Sequence, residues 1–202
     1  MSRDETADWS RSLAAWIARD ALLISLFILS WQLLRSWHAS TGSAGSAVAL
    51  GSAAFVFAYA ACYMAHEWGH DLGARAFGAA PARGSIRGVA LPLFDPSAHT
   101  RRQFLGLAYG GQLAYVATAA GIIAAFQPEL AHRAASLGAI AFVVQSLAVD
   151  QATLGPVLRG ADIPSALRNA TRPGALLRRT AVAWSALAAV LVAAHTWGGG
   201  LP

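Results

Sequence analysis

Apolar residues in this chain gather into long runs, separated by short polar or glycine-rich stretches. About 20 consecutive apolar residues cross the hydrocarbon of a bilayer, and five windows approach that scale. They are 18–37 (ARDALLISLFILSWQLLRSW), 46–66 (SAVALGSAAFVFAYAACYMAH), 104–126, 134–157 and 180–197. The pattern predicts an all-α polytopic membrane domain of about five transmembrane helices, occupying the whole of 1–202. Between the second and third windows, AAPARGSIRGVALPLFDPS (79–97) carries Gly84, Gly88, Pro92 and Pro96. That density of breakers ends a helix, while SIRGVAL is compatible with a short membrane-associated hairpin. Gly106 and Gly110 form a GxxxG in the third window, the spacing at which two apolar helices pack closely.

Composition supports the bilayer as solvent. Of the 202 residues, 56% are hydrophobic and 12% charged, about half the charge of an ordinary soluble domain. The net charge of +5 comes from arginine alone, since no lysine occurs. Arginines fall in clusters between the apolar runs, an arrangement suited to anionic headgroups and not to nucleic acid. Five stand in residues 71–103 and five in 158–179, whereas the intervening loops hold Arg35 and Arg133. The positive-inside rule then makes the two rich loops and the amino terminus cytoplasmic, with the carboxy terminus outside. The expected location is a bacterial inner membrane. A single cysteine, Cys62, excludes an intrachain disulfide, and the polar start MSRDETADWSRS does not read as a removable signal peptide.

One motif carries chemistry. In YMAHEWGHDLGARAFG (63–78), His66, Glu67 and His70 spell HExxH at the end of the second window. Six histidines and three glutamates (Glu5, Glu67, Glu129) predict roughly 0.003 chance occurrences in a chain of this length. Positions i and i+4 share a helix face, so His66 and His70 can present two imidazoles to one ion. Glu67, beside the first of them, can take a proton from an attacking water. A catalytic zinc takes three protein ligands and keeps one position open. Asp71 follows His70 directly and points off the shared face. The remaining candidates are Asp150, a carboxylate inside the fourth apolar window and therefore a functional candidate, and Asp162. The latter stands in LGPVLRGADIPSAL after a Gly-Pro pair expected to break the helix; Asp95 and His99 are weaker options.

Taken together, HEWGH ending an apolar helix, the Gly-rich segment, AYGGQLAYVATA, and an apolar helix closing on TLGPVLRGADIPSAL resemble the site-2 protease family of intramembrane zinc metalloproteases. The resemblance covers about 46–170 and implies a three-helix core there, with the first and last windows outside it. It implies zinc as cofactor, His66 and His70 as ligands, Glu67 as general base and Asp162 as third ligand, with Asp150 the alternative. Gln112 and Tyr115 occupy positions where the family has proline and asparagine, and are the substrate-binding candidates. The implied partners are transmembrane protein substrates or a larger membrane complex. The departures at Tyr115 and Ile163 also suit a second function, a non-catalytic structural or assembly subunit of such a complex.

Overall fold

The computed structural model describes residues 11–86, 92–125 and 129–198. Within them the chain is helical apart from one two-stranded sheet: α1 (Leu13–Thr41), α2 (Ala44–Ala76), β1 (Ala82–Arg83), β2 (Pro92–Leu93), α3 (Arg101–Ala124), α4 (Leu130–Leu158), α5 (Ile163–Ala170) and α6 (Pro173–Gly198). Four helices, α1 to α4, are long and apolar enough to cross a membrane. The fifth expected window also forms a helix, α6, but it is not among these four.

Helix ends follow from local chemistry. Ser12, Ser43 and Thr100 cap α1, α2 and α3 by accepting backbone N–H groups, and Thr100 with Gln103 completes a capping box. Gly42, Gly78 and Gly160 sit at φ 55°, 78° and 99° just past α1, α2 and α4. At Gly78 the N–H groups of Gly78 and Ala79 reach back to Arg75 and Ala74, and at Gly160 those of Gly160 and Ala161 reach Val157 and Pro156. This paired closure needs a left-handed residue, which glycine adopts without penalty. Two expectations change accordingly. The second window closes at residue 66, but its helix continues through HEWGH to Ala76, ten residues further, because nothing before Gly78 stops it. Gly155-Pro156 does not break α4, which continues to Leu158. Pro156 removes one N–H near the helix end, and the turn at Gly160 terminates the helix instead.

The expected hairpin is present, with its pairing outside SIRGVAL. Ala82 pairs with Leu93 and Arg83 with Pro92, antiparallel; residues 87–91 of that stretch lie outside the described residues, as do Asp4, Glu5 and Asp8.

The chain divides into two compact units, Met1–Ala139 and Ile140–Pro202. In the first, α2 and α3 pack backbone to backbone. A Cβ added at Gly73 would strike the Gly106 carbonyl, and one added at Gly110 would meet Gly73 Cα at 2.7 Å, so Gly69, Gly73, Gly106 and Gly110 form one glycine seam. The expected role of Gly106 and Gly110 in packing is met, with Gly69 and Gly73 as the partners. Trp31 and Leu34 of α1 close over Leu50, Ala54 and Ala131, and Phe27 stacks on Phe57 at 4.6 Å. In the second unit, Trp184 Nε1 donates to Gln145 Oε1 at 3.1 Å, and Arg179 donates to the Ala170 carbonyl at 3.0 Å.

Candidate metal centre

The glycine seam determines where the motif points. With no Cβ between them, α2 and α3 approach until His70 lies flat against Gly111, where any side chain would overlap the imidazole. His70 Nδ1 is 2.7 Å from the Leu107 carbonyl. A carbonyl can only accept, so Nδ1 carries the proton and Nε2 presents its lone pair. His66 Nε2 lies 3.0 Å from His70 Nε2, the rings meeting at 64° with centroids 4.1 Å apart. Two nitrogens bound to one tetrahedral zinc at about 2.0–2.1 Å stand about 3.3 Å apart, so the pair already has the spacing of two ligands to a single ion. The Leu107 carbonyl is the outer partner that metal-binding histidines ordinarily have.

Tyr115 is fully buried, with its ring 5.3 Å from that of His66. Gln112 is half-buried, and its amide nitrogen has no hydrogen-bond partner among the described residues. Both substrate-binding candidates therefore stand on α3, whose Leu107 carbonyl accepts from His70 of α2. Glu67 is half-buried on α2 beside His66.

The acidic candidates divide clearly. Asp71 is buried but already paired, accepting from Arg75 at 2.8 and 3.1 Å and lying 3.6 Å from Arg83, which joins β1 to the motif helix. Asp95 is exposed and accepts the N–H and hydroxyl of Ser97, which hold its carboxyl below the usual range, and His99 donates to the Asp95 carbonyl. Asp162, the ligand implied by the resemblance, is the exposed N-cap of α5. It accepts the Ser165 N–H at 2.9 Å, and that bond holds its carboxyl below the usual range. Asp150 sits eight residues before the end of α4 and is half-buried. Away from the motif, His38 bonds Ser46 at 2.9 Å and His132 lies 3.9 Å from Glu129.

The first helix, left outside the core by sequence reasoning, contacts the motif directly. Trp68 Nε1, the tryptophan of HEWGH, donates to Asp20 Oδ2 at 2.7 Å, and Asp20 is 6% exposed. A carboxylate within ARDALLISLF was the available signal, the same one that singled out Asp150. No family model, curated protein or solved structure matches the chain.

Proposed function

We propose that the chain is a membrane-embedded zinc endopeptidase of the site-2 protease type, hydrolysing peptide bonds of transmembrane substrates near the cytoplasmic face of a bacterial inner membrane. The observation that carries this reading is the convergence of His66 and His70 Nε2 at 3.0 Å, with His70 oriented by Leu107. Asp150 is our choice for the third ligand. Asp150 is a carboxylate within a long apolar helix, where a charge is a functional candidate, whereas the Asp162 carboxylate is occupied as a helix cap.

Zinc bound there would acidify a water molecule and polarise the scissile carbonyl. Glu67 takes the proton of the attacking water and returns it to the leaving amine. Gln112, with its unused amide donor, holds a substrate carbonyl after the substrate helix has unwound; a helix in lipid has no spare backbone groups until then. α2 is 33 residues long, about 50 Å, and His66 stands about 30 Å from Ser46 along it, close to a hydrocarbon thickness. On this reading the motif stands near the interface, within reach of water.

Metal analysis combined with cleavage of a single-span substrate tests the proposal. Wild type and Glu67→Gln are expected to hold about one zinc per chain, and only wild type to cleave. His66→Ala and His70→Ala lose the metal. Unchanged cleavage by Glu67→Gln refutes the assignment, and zinc without cleavage in wild type favours the structural subunit.

A further inference from the structure

We infer that Asp20 of the first helix is a positioning residue for the metal centre, acting through Trp68 to hold the HEWGH turn at the roll angle that directs both imidazoles to one point. The inference rests on the metal-site reading and adds α1 to it.

Both oxygens of the Asp20 carboxylate are engaged. Oδ1 accepts from Arg19 at 2.7 Å and Oδ2 from Trp68 Nε1 at 2.7 Å. The Arg19 guanidinium lies 3.8 Å over the ring of Trp16, and Trp16, fully buried, donates its indole N–H to the Gly84 carbonyl at 2.9 Å. A single turn of α1 therefore grips the motif helix through Trp68 and the segment after β1 through Gly84. On the rest of α1 the large apolar side chains Leu22, Leu26, Leu29 and Leu33 are exposed, as expected of a surface in contact with lipid. A charged pair in such a helix costs free energy and is therefore a functional candidate; here the bonds to Arg19 and Trp68 offset part of that cost.

The geometry identifies the task. Residues of a helix advance by about 100° each, so Trp68 and His70 project about 200° apart. His70 is tied to α3 through Leu107, and Trp68 is tied to α1 through Asp20; the two bonds hold opposite flanks of the same turn. With one removed, the turn can roll. Side-chain tips lie about 6 Å from the axis, so a roll of about 10° carries Nε2 about 1 Å, against a tolerance of about 0.2 Å in a zinc–nitrogen bond.

The test uses the full chain in detergent micelles. Zinc affinity is read by chelator competition, coordination geometry by the visible spectrum of added cobalt(II), and fold by helix content. Trp68→Phe, which removes only the donor, is expected to weaken zinc binding about tenfold and to alter the cobalt spectrum at unchanged helix content. Asp20→Asn, which retains an acceptor for Trp68, is expected to keep affinity within about threefold of wild type. The double variant Arg19→Leu/Asp20→Leu removes the pair without stranding a charge, and should repeat the Trp68→Phe loss. Wild-type affinity and spectrum in either Trp68→Phe or the double variant overturn the inference while leaving the metal site intact. A wild-type chain that takes up neither metal overturns both.

Discussion

Replacing Gly111 by alanine adds one methyl group at the closest approach of α3 to the motif. The new Cβ would fall 2.8 Å from His70 Nε2 and nearer still to Cε1 and Nδ1. Carbon atoms at rest keep about 3.5–4.0 Å, so the imidazole must retreat by about 1 Å. The Nδ1 bond to Leu107, now 2.7 Å, would stretch to about 3.7 Å, beyond hydrogen-bonding range. Loss of an outer partner alone costs about 10- to 100-fold in metal affinity, and here the ligand moves as well, so about 100-fold is expected. Overpacking costs about 1–3 kcal/mol, offset by about 0.5–1 kcal/mol from replacing glycine within a helix; net destabilisation is about 0–2.5 kcal/mol. Chelator competition measures the first effect and thermal unfolding in micelles the second. Gly121→Ala is the control, because nothing lies within 4 Å of a Cβ there, and it should bind zinc as wild type does. Wild-type zinc affinity in Gly111→Ala would refute the argument that this glycine seats His70.

Further outcomes follow from the helix ends. Asp162→Ala should weaken α5 and leave zinc bound, whereas Asp150→Asn should release it; the reverse result in metal analysis restores Asp162 as ligand. The folded Asp162 carboxyl titrates below its ordinary value because of the Ser165 N–H. Its capping contribution is therefore complete above the ordinary carboxylate range, and is lost as pH falls through the lower, folded value. An NMR titration midpoint at or above about 3.9 would contradict this. Gly160→Ala, at φ 99°, should cost about 1–3 kcal/mol in thermal unfolding, and an unchanged midpoint would show that the turn ending α4 tolerates a side chain.

Much of the helical layout was legible because lipid requires uninterrupted apolar runs. The windows 18–37, 46–66, 104–126 and 134–157 each fall largely within one helix, and the HExxH spacing itself sets His66 and His70 on one face. What the sequence could not reveal was pairing between distant segments. The spacing of Gly106 and Gly110 signals close approach to something, but not that the something is Gly69 and Gly73 on the motif helix itself. Gly111 stood unremarked in AYGGQLAYVATA, although its task is to accommodate His70. Asp20 stands in the first window with nothing nearby in the sequence to mark Trp68 as its partner, and the bond to Trp68 closes over 48 residues. Pro156 misled because a local breaker near a helix end removes little, and the stop depends on Gly160.

The length of α2 has a consequence of its own. A helix of about 50 Å exceeds a hydrocarbon layer of about 30 Å by some 20 Å. In a bilayer that surplus is taken up by tilt or by projection of an end, and HEWGH stands near one end. Membrane thickness thereby becomes a variable of the site. A thicker leaflet draws His66 and His70 away from water and a thinner one lifts them toward it, so the access of water to the two imidazoles would differ between membranes of different lipid.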